Sequence, residues 1–242
     1  MITFFRKLRQ QLLTQNKFSQ YLMYAIGEIV LVVIGILIAL QINNWNEHQK
    51  LQEQEKKLLL SLQKEMQENI AILEDKVNYN EVSMASMDRF ITLAYKERLT
   101  EYNYTSNIRI FDYNPAIVES PILDDILESD SRALLSNSEL LQKLRALKAN
   151  YNAIEKGEYY LDEFWNNKIT DYLISAGTGY VIFSVMEADN IPDDIPTQKV
   201  LKIDDQFLSL IVVKKGLQRV WLRSQKNALE RSKKVIQQLE NM

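Results

Sequence analysis

The chain contains no cysteine. That absence removes disulfides, thiolate catalysis, cysteine-ligated metals and a lipid anchor on an N-terminal cysteine. Only 4 prolines and 6 glycines occur among 242 residues, few for the turns of a β-sandwich or barrel and suited to long helices. The single histidine, His48, has no second histidine for a metal site and no Ser/Asp pattern of a triad around it, so it reads as an interfacial side chain. The acid pairs Asp124-Asp125, Asp193-Asp194 and Asp204-Asp205 lack the alternating spacing of a calcium loop and read as solvated helix ends and loops. Gly177-Thr178-Gly179 lacks the Gly and Lys of a phosphate loop and reads as a helix stop. The basic residues Arg219, Arg223, Lys226, Arg231, Lys233 and Lys234 are spread around one helix beside Glu230 and Glu240, as on a solvated or bundle-facing surface. No catalytic residue, cofactor or metal is expected from these patterns.

Charge is also nearly missing from one stretch. Residues 22–42, LMYAIGEIVLVVIGILIALQI, carry a single ionisable side chain, Glu28. As a helix rising about 1.5 Å per residue, the run covers about 31 Å, a bilayer's hydrocarbon thickness. It is longer than a signal-peptide core, and no A-x-A site follows it, so it is expected to remain as an anchor. The helix leaves the apolar zone through Gln41-Ile42-Asn43-Asn44-Trp45-Asn46, with Trp45 at the interface.

Orientation follows from the flanks. Arg6, Lys7, Arg9 and Lys17 precede the run without an acid, whereas acids and lysines mix after it. The N-terminus is therefore expected in the cytoplasm and the C-terminal domain outside. Of the 29 Lys and Arg, those four precede the run, and of the 32 Asp and Glu only Glu28 lies within it. The remainder is acidic, which argues against nucleic acid as a partner. Phe4, Phe5, Leu8, Leu12 and Leu13 share a helical face in residues 3–15, with Arg6, Lys7 and Arg9 elsewhere. Two readings stay open: a short helix lying in the membrane interface against anionic lipid, or a plain positive-inside flank.

Beyond the run, helical spacing continues to about Arg98 without proline or glycine, so the membrane helix is expected to extend outward as a stalk. Asn78-Tyr79-Asn80 is the expected bend. Residues 100–120 read as loop with a short strand, and Ser120-Pro121 as the start of a short helix to about Glu128. Ser136-Asn137-Ser138-Glu139 has the pattern of a capping box. It opens a helix with Leu140, Leu147, Ile154 and Leu161 in one seven-residue register and Leu144, Tyr151, Trp165 and Tyr172 in the other, interrupted by Glu158 and Lys168. A short strand and irregular loop are expected over 180–203. Asp204-Asp205 then caps a last helix burying Phe207, Leu210, Ile211, Leu217, Trp221, Ala228, Val235 and Leu239.

The expected fold is mainly α, with three divisions. Residues 1–20 form a cytoplasmic basic segment, 21–45 a single transmembrane helix, and 46–242 a mainly antiparallel bundle of three or four helices with minor β. If the first long helix points away from the membrane, the second returns, placing the 177–203 loop near the membrane and 100–136 at the far end.

On the helical wheel, Gly35 and Ala39 lie about 20° either side of Glu28, Tyr24 about 40° away, and Asn46 at nearly the same angle. Small and polar residues on one face are what helices use to meet in lipid. A carboxyl about four residues from the midpoint of the run is costly in hydrocarbon. The stripe Tyr24, Glu28, Gly35, Ala39 and Asn46 is therefore expected to face a second copy or a partner membrane protein. Glu28 reads either as polar glue fixing helix register or as a proton or cation site in a small conducting assembly.

The block FFRKLRQQLLTQNKFSQYLMYAIGEIVLVVIGILIALQINNWNE resembles an uncharacterised family of small bacterial membrane proteins, specifically over residues 4–47. The shared pattern is a basic, Phe-rich start, then Tyr24 to Ile29, then Gln41 to Asn46. The resemblance implies a single-pass protein of the inner membrane in Gram-negative bacteria and brings no catalytic residues. Three functional expectations follow. They are a non-enzymatic anchor that oligomerises and displays a periplasmic sensing or scaffolding domain, an ion- or proton-conducting assembly using Glu28, and, least supported, a periplasmic enzyme.

Overall fold

A computed structural model describes residues 18–96, 101–102, 110–111, 114–135, 137–178 and 201–241. The described chain is mainly helical. Helix α1 runs Phe18–Lys96. A two-residue strand β1 (Glu101–Tyr102) follows, then α2 (Pro121–Glu128) and a 3-10 turn (Asp130–Leu134). Helix α3 (Ser138–Phe164) passes through a π turn (Trp165–Ile169) into α4 (Thr170–Ser175). Strand β2 (Leu201–Lys202) precedes α5 (Asp205–Glu240). β1 and β2 pair antiparallel, Glu101 opposite Lys202 and Tyr102 opposite Leu201.

The helix boundaries have identifiable chemical causes. Asn137 caps α3 by accepting from the Leu140 amide at 3.0 Å, one residue later than the capping box suggests. Asp204 caps α5 from the Phe207 amide at 2.7 Å. Gly177, at φ 69°, ends α4: its amide reaches Ile174 O at 3.0 Å and the Thr178 amide reaches Leu173 O at 2.9 Å. This is the reversed-turn stop that a glycine permits and a side chain would strain.

Two compact units divide the chain, Met1–Lys57 and Leu58–Met242. In the first, α1 presents its apolar side chains outward, and none of those described between 22 and 57 is buried. In the second, the rest of α1 packs with α3 and α5 around two apolar clusters. One joins Leu62, Met66 and Leu73 to Leu123, Ile126, Leu144, Leu147, Ile154, Trp221 and Val235. The other joins Met84, Met87 and Phe90 to Ile169, Tyr172, Phe207, Ile211 and Leu222. Phe207 is its hub, stacked on Tyr172 at 5.7 Å and edge-on to Phe90 at 6.0 Å.

The helix directions differ from expectation. Ion pairs Glu74–Lys233, Glu81–Lys226 and Asp88–Lys215 show α5 antiparallel to α1. Tyr151–Ser232 and Lys143–Gln238 contacts show α3 antiparallel to α5 as well. So α3 runs parallel to α1 instead of returning along it. The return is made by residues 114–123, whose contacts with α1 move from Asn80 at Asn114 to Glu65 at Ile122 and Leu123. Within this unit, residues 178 and 201 flank the end where α1 finishes, and α2 lies towards Leu58. The 100–136 region is therefore split, with β1 at the end where α1 finishes and α2 towards Leu58, because an extended strap does the work assigned to a helix; residues 179–200 of the other connection lie outside the described residues.

At Asn78-Tyr79-Asn80, the expected bend, α1 stays helical without a break. Asn80 falls on the inward stripe between Leu73 and Met84 and is fully buried.

Candidate functional site

The apolar length of α1 is the first candidate. Among the described residues, α1 is the one helix long and apolar enough to cross a membrane. Tyr24, Glu28, Gly35, Ala39 and Asn46 lie exposed along it, with Tyr24 at 58% of full exposure. A side chain added at Gly35 would meet nothing within 4 Å, so the face is open to close approach by another helix. Trp45 is 66% exposed just past the run. Beyond it, Asn43 donates to Glu47 at 3.1 Å and Gln52 contacts the His48 ring at 3.3 Å, both one helical turn apart. Phe4, Phe5, Arg6, Lys7 and Arg9, the expected membrane-interface residues, lie outside the described residues.

The second candidate is a polar seam inside the other unit, which the sequence reading did not pick out. Helix α1 holds the returning strap by its main chain. Asn80 accepts from the Asn114 amide at 3.1 Å and donates to the Asn114 carbonyl at 3.0 Å. Asn69 donates to the Glu119 carbonyl at 2.8 Å. Glu65 accepts from the amides of Ile122 at 2.6 Å and Leu123 at 3.1 Å. These are orphan amides at the start of α2, and the nominal cap Ser120 makes no capping bond to them. A carboxylate from 57 residues away therefore caps the helix. Burial pushes the Glu65 carboxyl above its ordinary range, opposed by the two amides and by Lys148, and reinforced by Asp124. Lys148 pairs with Asp124 at 2.6 Å and donates to Ser120 at 3.1 Å, fixing the same helix start to α3.

The seam continues onto α5. Asn80 also reaches Gln225 Oε1 at 3.3 Å, Gln218 donates to Ser83 at 3.2 Å, and Lys214 donates to Gln218 at 2.9 Å. Lys214, Gln218, Gln225 and Ser232 are all buried at four- and seven-residue steps. The Gln225 Nε2 group finds no acceptor among the described residues. Ser232 meets the Tyr151 hydroxyl at 2.9 Å, and burial pushes that phenol up to about 12. A signal for the seam was present: 73, 77, 80, 84 and 87 share one helical face, so a polar residue at 80 had to be buried.

The third feature is a surface cleft of about 580 Å³ between the start of α3 and the end of α5, bordered by Glu139, Lys143, Arg231, Lys234 and Gln238. Lys143 is already tied across it to Glu139 and Gln238, each at 2.7 Å. No group of three or more metal-ligating side chains occurs among the described residues. The acids Asp204 and Asp205 serve α5, Asp204 also accepting from the Tyr172 hydroxyl at 3.1 Å.

Residues 28–93 match the model of a family of unknown function (DUF6090). The matched segment starts at Glu28, covers Gly35, Ala39 and Asn46, and extends through Glu65, Asn69, Asn80 and Ser83. It thus spans most of the apolar stripe and all three strap-holding side chains, while the strap, α3 and α5 lie beyond it. No curated protein and no solved structure matches the chain.

Proposed function

We propose that this chain is a non-enzymatic single-pass protein of the bacterial inner membrane. Residues 21–45 cross the bilayer with the N-terminus cytoplasmic, and the later residues form a periplasmic helical bundle that senses or scaffolds. The membrane helix associates with a second copy, or with a partner membrane protein, through Tyr24, Glu28, Gly35, Ala39 and Asn46. The observation that supports this most directly is the apolar length of α1, none of whose described side chains is buried by the rest of the chain. Apolar surface on that scale is stable in lipid or against another helix, and costly in water. Glu28, on the outside of that helix, favours the second helix: a carboxyl facing lipid near the middle of the span costs several kcal/mol, about 2.5–3.5 on insertion scales.

The cysteine-free chain makes orientation directly testable. A single cysteine at Gln10 is expected to react with an impermeant maleimide only after the inner membrane is opened. One at the exposed Asn166 is expected to react in spheroplasts. The reverse pattern overturns the orientation, and reaction of both in soluble extracts overturns the anchor.

Glu28 also keeps the conducting reading in view, and two variants separate the roles. If Glu28 is polar glue, Glu28→Gln associates like wild type and Glu28→Leu does not. If Glu28 carries protons, wild-type liposomes dissipate a pH gradient and Glu28→Gln liposomes do not.

A further inference from the structure

We propose that the outer part of α1 is an exchangeable element, so that the strap, α3 and α5 of one copy close on α1 of a second copy through the contacts they make within one chain. The proposal rests on the reading that copies associate through the span.

Two kinds of interface meet in this unit. Helices α3 and α5 are interlocked by close packing, with few side-chain hydrogen bonds: a side chain at Gly157 would lie 2.6 Å from Trp221 Cδ1, the Trp221 indole donates to Ile154 O at 3.1 Å, and Tyr151 meets Ser232 at 2.9 Å. Helix α1 joins them differently. Beside its apolar residues it offers Glu65, Asn69, Asn80 and Ser83, which bond the strap's main chain and the amides of α5. Outside that seam, Glu74, Glu81 and Asp88 stand at exact seven-residue steps on α1, each paired with a lysine of α5, Lys233, Lys226 and Lys215. All the acids are on one helix and all the bases on the other. Polar layers with flanking heptad charges select partner and register between helices that come together as separate pieces.

The covalent link permits the exchange. Asn114 lies beside Asn80, 16 residues back from Lys96, a path of about 24 Å along the helix. With β1 released from β2 and Ile110 from its cluster, the connection over 97–113 can reach about 56–61 Å when extended. An identical copy reproduces every contact, including the fully buried Leu123 and Ile126 that a foreign peptide would have to supply. Copies gathered by their membrane helices face one another at high effective concentration.

Charge reversal distinguishes exchange from closure within one chain. Variant A carries Glu74→Lys, Glu81→Lys and Asp88→Lys; variant B carries Lys215→Glu, Lys226→Glu and Lys233→Glu. Within either chain alone, like charges face each other. In an exchanged pair of A with B, both interfaces are complementary. Differently tagged full-length A and B, coexpressed and purified in nanodiscs, are expected to be recovered together roughly tenfold above the statistical yield and to regain wild-type protease resistance. A third variant with all six reversals is expected to resist protease as wild type does, showing that the charges pair in either sense. Should A and B remain dimeric by mass while mixing restores nothing, exchange is overturned and association through the span stands. Should wild type itself be monomeric, both fall. Failure of the six-fold variant would remove the charge recognition on which the proposal depends.

Discussion

Glu65 shows how one side chain can set both a helix boundary and a pH response. Its carboxylate caps α2 through two amides, yet burial keeps its proton affinity above that of an exposed glutamate. A carboxyl with a raised folded-state pKa adds stability that is fully present below its unfolded value near 4.5 and is lost as pH rises through the folded value. Relative to Glu65→Gln, the wild type should therefore gain melting temperature as pH falls from 7 towards 4.5; a difference that is flat with pH would contradict this. Gly157 is a steric case. A methyl group there would overlap Trp221 Cδ1 at 2.6 Å, so Gly157→Ala should lower stability by about 1–3 kcal/mol in urea titrations, despite alanine's better helix propensity. The same substitution at Gly216, where an added carbon meets nothing within 4 Å, should stabilise by about 0.5–1 kcal/mol.

At the scale of elements, the legible parts were those whose signals are local. The heptad stripe of α3, the glycine stop after α4 and the aspartate cap of α5 all depend on residues within a turn or two, and each stands where the spacing placed it. The strap was not legible, because its bonds join residues 34 to 58 positions apart and use main-chain atoms that leave no sequence signature. Asn80 was misread for the same reason. An Asn-Tyr-Asn patch resembles a bend until the partners of its amide are known, and those are Asn114 and Gln225. On α5, the sequence reading passed over the four buried polar positions Lys214, Gln218, Gln225 and Ser232 in the inward stripe, since a buried lysine and two glutamines oppose the usual apolar pattern. This yields a paired test on α1. Asn80→Ala should cost about 1–3 kcal/mol by leaving buried strap groups unsatisfied, whereas Asn78→Ala, exposed on the same turn, should stay within about 0.5 kcal/mol. Equal effects would show that the patch acts only as helix.

For the whole molecule, composition and one apolar run were enough to indicate a mainly helical chain with a helix long and apolar enough to cross a membrane. Neither could reveal that the rest of α1 is held by a polar seam and a borrowed helix cap. The matched segment 28–93 contains most of the exposed stripe and the strap-holding residues Glu65, Asn69 and Asn80, all on α1. In the proposed account its inner part meets another membrane helix and its outer part carries the periplasmic domain. The most direct test is the mass of the full-length protein in nanodiscs, wild type beside Glu28→Leu. The account predicts a discrete oligomer that dissociates in the variant. Two copies would fit a sensing or scaffolding dimer, and four or more would favour the conducting assembly. A monomer in both samples would contradict self-association through the Glu28 face.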